Sequence, residues 1–137
     1  MEKIYNLFIS HSWSYSDKYE GLIRLLDKDI SFSYKNYSVP KDDPIHDAGT
    51  DKELYEAIKV QISKASAVII LAGVYATYSK WINKEIQIAK EEFSKPKPII
   101  AVEYWGSEKT SVIVKKNADR IVKWNSGSLI ETIKSIA

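Results

Sequence analysis

Trp81 and Glu85 are the residues of this sequence best placed to do chemistry together. They stand four positions apart in a segment of helical periodicity, a spacing that puts two side chains on one helix face. An indole can stack on a flat cationic ring. A carboxylate beside it can hold ribose hydroxyls or stabilise an oxocarbenium ion as a glycosidic bond breaks. The pair lies off the apolar stripe of Ile82, Ile86, Ala89 and Phe93, so the core does not require it. A plainer role also fits: a Trp bracing a sheet and a Glu favouring a helix N-terminus. Spacing alone favours the plainer role.

Other polar residues offer less. His11 and His46 are the only histidines, and neither stands at metal-ligand spacing from carboxylates, so no metal site is expected. His11 is expected to position a loop or touch ligand. Ser10, Ser12, Ser14 and Ser16 could present hydroxyls to a phosphate, or cap a helix.

These residues need elements to carry them, and the hydrophobic period switches repeatedly between strand and helix. Ile4 to Ile9 reads as a buried strand, and Asp17 to Asp29 as an amphipathic helix through Leu22, Ile23 and Leu26. Phe32 to Val39 is a more polar strand, suited to a sheet edge. Thr50-x-x-Glu53 is a capping box that opens a second helix. Ala67 to Gly73 contains Val68-Ile69-Ile70-Leu71, the pattern of a central parallel strand covered on both faces. Ser79 is the expected cap of the third helix. Ile99 to Glu103 and Arg120 to Val122 are the fourth and fifth strands, and Ser128-x-x-Glu131 is read as the box opening the last helix.

Strands alternating with helices imply right-handed crossovers and a parallel sheet. The expected fold is α/β, three-layered, with five parallel strands in the flavodoxin-like order 2-1-3-4-5. One domain covers residues 1–137, because that length suits one hydrophobic core. Ligands of such sheets bind beyond the carboxyl ends of the strands at the switch point, here between strands one and three. The segments meeting there are 10–13, 73–85 and, from strand two, 36–43.

Composition narrows the classes further. The net charge is only +2 with scattered basic residues, which gives no stripe for nucleic acid. The longest apolar run, Ala65 to Tyr78, is interrupted by Ser66, Gly73 and Thr77 and is too short to span a bilayer. The chain enters a strand directly after Met1-Glu2-Lys3, so no signal peptide is expected. The absence of cysteine excludes disulfides and fits a cytoplasmic protein. A phosphoacceptor receiver would need an Asp ending strand three, where Leu71-Ala72-Gly73 stands. Neither a Rossmann fingerprint nor a P-loop is present. Ser10 to Ser14 lacks the glycine of a flavodoxin phosphate loop.

Several segments together resemble a known family. Phe8-Ile9-Ser10-His11-Ser12 is similar to the opening strand and loop of Toll/interleukin-1-receptor (TIR) domains, and Ser79-Lys80-Trp81-Ile82-Asn83-Lys84-Glu85 to their S-x-W-x-x-x-E segment. Asn36 to Pro40, Asp43-Pro44-Ile45 and Ala118 to Asn125 resemble the prokaryotic TIR-like family that includes the TIR subunit of Thoeris anti-phage defence systems. The resemblance runs from Tyr5 to Ile136.

It implies an enzyme that cleaves the N-glycosidic bond of NAD, with Glu85 as catalytic residue and NAD as substrate rather than cofactor. It further implies a cyclic ADP-ribose-type product that switches on a partner effector protein. Trp81 would line the nicotinamide-ribose pocket, Phe8, Ser10 and His11 its floor, and Asn36, Tyr37 and Ser38 the region near the nucleotide. Many TIR enzymes act as assemblies, so a homo-oligomer is expected. Where receptor TIR domains carry a Pro-Gly turn after strand two, this chain has Val39 to Pro44, which argues against a receptor-adaptor role. Two other readings stay open: a non-enzymatic TIR-like module binding a nucleotide or a protein, and a transferase using Glu85 as nucleophile on free nucleosides.

Overall fold

The switching hydrophobic period folds into five strands and four helices among the described residues. The structure, a computed structural model, describes residues 4–9, 16–29, 32–37, 51–71, 80–103 and 116–136. In order these form β1 (Ile4–Ile9), α1 (Ser16–Asp27), β2 (Ser33–Asn36), α2 (Asp51–Ser63), β3 (Ala67–Leu71), α3 (Lys80–Glu91), β4 (Ile99–Glu103), β5 (Arg120–Lys123) and α4 (Ser126–Ile136). No described helix is long and apolar enough to cross a membrane.

The strands make one parallel sheet in the order β2-β1-β3-β4-β5, the order expected from the sequence. The register aligns Phe8 with Val68, Ile70 with Ala101, and Val102 with Val122. The polar β2 and the short β5 are the two edges, and β3 is central. Burial follows that placement: Val68, Ile69 and Ile70 are fully buried, as an uninterrupted apolar run requires.

Side chains alternate strictly across the sheet, with a period of two. Leu7, Ile9, Ala67, Ile69, Ile100 and Val102 point to the side of α1 and α4. Phe8, Val68, Ile70, Ile99 and Ala101 point to the side of α2 and α3. Two separate cores result, one on each side, which makes the three layers.

Three sequence expectations shift. β2 ends at Asn36, short of the expected Val39, which lies outside the described residues, as do Thr50, Ala72, Gly73 and Ser79. α4 opens before Ser128: Asn125 Oδ1 accepts the Ser128 N–H at 2.9 Å, and the Asn125 carbonyl accepts the Leu129 N–H at 3.0 Å. Asn125 is thus the N-cap and Ser128 lies in the first turn, because an Asn carbonyl reaches the third amide as well as a Ser hydroxyl does. Likewise Ser16 is already helical at the start of α1, and the other proposed cap, Ser14, lies outside the described residues.

Candidate functional site

α3 starts after the carboxyl end of β3 and returns along the α2 side of the sheet. Its apolar residues fix the face it buries: Ile86 is 5% exposed, and Ile88 and Ala89 are fully buried. Glu85 stands three and four positions before Ile88 and Ala89, so it shares their face. The stripe of Ile82, Ile86, Ala89 and Phe93 leaves Glu85 outside the expected core, yet the structure buries it to 2% exposure. The reason is the width of the buried face. α3 packs on the sheet and on α2 together, so it buries two adjacent rows of side chains where the sequence reading drew one.

Glu85 is the one buried polar or charged side chain among the described residues. Carboxylates are seldom fully buried without a compensating interaction, and Glu85 makes one. Glu85 sits in the second turn of α3, the helix that follows the carboxyl end of β3. Trp81 falls in the first turn, one helical turn ahead of Glu85, as the spacing predicts; its side chain lies outside the described residues.

Phe8 is the fifth residue of β1 and 1% exposed, packed in the core cluster that also holds Ile86. It lies on the α3 side of the sheet, beneath the edge where β1 ends. Asn36 ends β2 opposite Leu7, and the Tyr37 N–H donates to the Leu7 carbonyl at 2.8 Å. The fold thus brings Phe8, Asn36 and Tyr37 to neighbouring strand ends. Ser10, His11 and Ser38 lie outside the described residues, and so does His46. Among the described residues no group of three His, Cys, Asp or Glu could hold a metal ion.

The structure adds residues that the sequence reading passed over. Tyr55 of α2 packs on the α3-side core and donates its hydroxyl to Glu92 Oε1 at 3.0 Å. Lys59 Nζ lies 3.0 Å from Glu92 Oε2, and Lys84 Nζ stands over the Tyr55 ring at 6.0 Å. The hydrogen bond from Lys59, then that from Tyr55, hold the Glu92 carboxyl below its ordinary range. Glu92 in turn raises the Lys59 ammonium, and burial followed by the Glu92 contact raises the Tyr55 phenol. The signal available in the sequence was Tyr55 three positions before Ile58, an aromatic with a polar tip at the margin of an apolar stripe. At the carboxyl ends of β4 and β5, Lys123 Nζ pairs with Glu103 Oε1 at 2.8 Å.

The segment Ala118 to Asn125 turns out to be architectural in its described contacts. The Asp119 carboxylate accepts the Ile99 N–H at 2.7 Å while the Asp119 N–H donates to the Ile99 carbonyl at 2.8 Å. Trp124 packs in the other core, and Asn125 caps α4.

No curated protein matches the chain in sequence. Among solved structures it is similar to FerB, a flavoenzyme NAD(P)H:(acceptor) oxidoreductase from Paracoccus denitrificans, with 14% identity and a TM-score of 0.43 over 98% of this chain and 72% of that one. That likeness is too distant to bear on function. The family described as "Thoeris protein ThsB, TIR-like domain" matches residues 8–109, well over half of the chain, and includes the strand ends and α3 described above. The chain is therefore a member of the Thoeris ThsB TIR-like family, and that membership carries a defence-system context.

Proposed function

We propose that this TIR-like domain is an enzyme that cleaves the N-glycosidic bond of NAD in the cytoplasm, with Glu85 as its catalytic carboxylate. The observation that carries the reading is the burial of Glu85 in the second turn of α3, the helix that follows the carboxyl edge of β3. In an open parallel sheet that edge, next to the switch between β1 and β3, is where ligands bind. Family membership supports the same reading.

The chemistry asked of the site is modest. The bond between nicotinamide and ribose breaks with its electron pair going to the ring nitrogen, which neutralises the pyridinium. Positive charge develops on the ribose as an oxocarbenium ion. A carboxylate held away from water stabilises that charge more strongly than one in solvent. Capture by water gives ADP-ribose and one released proton. Capture by a hydroxyl or ring nitrogen of the same molecule gives a cyclic ADP-ribose-type product, and the folded pose of the ligand decides between them. We further propose that the cyclic product is the signal that activates an effector protein in anti-phage defence, and that the domain works as a homo-oligomer. Trp81, Phe8, Ser10, His11, Asn36, Tyr37 and Ser38 are the proposed substrate contacts, and no cofactor is required.

The test is incubation of concentrated protein with NAD, with Glu85→Gln in parallel, followed by chromatography and mass detection. Nicotinamide from the wild type alone is the expected result, and the mass of the second product separates hydrolysis from cyclisation. Equal turnover by Glu85→Gln would remove Glu85 from the chemistry. Tight nucleotide binding without turnover would favour the alternative of a non-enzymatic binding module.

A further inference from the structure

We propose that Tyr55 is a positioning residue for Glu85, because its ring and its hydroxyl bracket the stretch of α3 that carries the carboxylate. This inference rests on Glu85 being the catalytic group. The Lys84 ammonium stands 6.0 Å from the Tyr55 ring centroid, and Glu92 accepts the Tyr55 hydroxyl at 3.0 Å. Lys84 and Glu92 are eight positions apart, roughly 12 Å along a helix axis. One side chain of α2 therefore engages Lys84 near the start of α3 and Glu92 just past its last residue, where the Glu92 N–H still donates to the Ile88 carbonyl at 3.1 Å, and Glu85 lies between these two contacts along the chain.

The contacts are of a kind that fixes position. The hydroxyl bond ends on an ionised carboxylate, which makes it stronger than a neutral one. The ring is itself anchored, since Tyr55 packs on the core formed by Ile58, Ile62 and Ile86. Lys59 braces Glu92 from the next turn of α2. Sliding or rolling α3 against α2 would break the hydroxyl bond and the ring contact together. A carboxylate that must meet a developing charge gains from such restraint, because displacements of about 1 Å can cost as much as a hundredfold in rate.

The experiment compares the wild type with Tyr55→Phe, Glu92→Gln and Lys59→Met in the full chain. The first readout is amide hydrogen exchange, with α1 and α4 as internal references. Tyr55→Phe keeps the ring and removes only the hydroxyl, so exchange across 84–92 should rise about tenfold while α1 and α4 hold steady. Glu92→Gln should reproduce the change from the acceptor side of the bond. The second readout is the kcat for nicotinamide release, which should fall about fivefold in Tyr55→Phe with KM unchanged. Lys59→Met leaves the hydroxyl bond in place and should lower the melting temperature without lowering kcat. Unchanged α3 exchange in Tyr55→Phe, an equal rise in α1 and α4, or a kcat that simply tracks melting temperature across all variants would overturn the proposal. If Glu85→Gln kept full activity, or no form released nicotinamide, the NAD reading would fail alone, and the exchange data would still decide whether Tyr55 restrains α3.

Discussion

The two sides of the sheet are built differently. On the α1–α4 side the described contacts are mostly apolar: Leu22, Leu26, Leu129 and Ile133 fill the space, and Tyr5, Phe32 and Tyr34 stack at 5.4 and 5.7 Å between centroids. α1 approaches the turn between β5 and α4 closely enough that a Cβ on Gly21 would stand 3.1 Å from Trp124 Cζ2. The Ser126 hydroxyl clasps the Leu25 carbonyl at 2.5 Å. On the α2–α3 side a carboxylate is buried, and a Tyr-Glu-Lys network ties the helices together. One side is packed for stability. The other buries a carboxylate and joins its two helices through a polar network at their margin.

That contrast can be broken in order of effect. Glu85→Gln should lower nicotinamide release by about a hundredfold to a thousandfold, the scale for losing a group aimed at transition-state charge. The fold should survive, since Gln keeps the volume and removes a buried charge; circular dichroism and nicotinamide release check both. Gly21→Val forces methyl groups against the Trp124 indole and should destabilise by about 1–3 kcal/mol in urea unfolding, while kcat per folded molecule stays constant. Asn125→Ala removes the α4 cap and should lower stability by about 1 kcal/mol, again with unchanged kcat. If either α1–α4 variant lowered kcat of the folded protein, the division between the sides would be wrong.

The smallest effect expected is on pH. The folded-state Glu92 carboxyl is depressed, so its contribution is present above the unfolded carboxylate range and fades as pH falls through the folded value. The Lys59 ammonium is raised, so its contribution is present at neutral pH and fades only as pH rises through its folded value. The groups bearing on this network are Tyr55, Glu56 and Lys59 of α2 and the neighbouring Glu91. The melting-temperature advantage of wild type over Glu92→Gln should therefore hold at neutral pH and shrink in acid. The exposure of the pair keeps it small.

Much of this was legible in the chain itself. The uninterrupted apolar run Val68 to Leu71 required a central strand, the polar stretch around Ser33 to Asn36 required an edge, and alternation with helical stripes required the parallel order. Trp81 and Glu85 could be read as a helical pair from spacing. The cap at Asn125 was open to the same reasoning, but Ser128 and Glu131 imitate a capping box two residues inside the helix.

What the sequence determined was local: which residues alternate, which recur at helical spacing, and where turns must fall. What only the tertiary structure decided was the environment of those residues. Glu85 looked peripheral because the stripe of one helix is defined by its own apolar residues. Whether the adjoining row is buried depends on how far α2 and the sheet wrap around α3, and no spacing within α3 records that. Tyr55 and Glu92 are 37 positions apart, so their contact follows from helix packing across the layer and not from any local pattern.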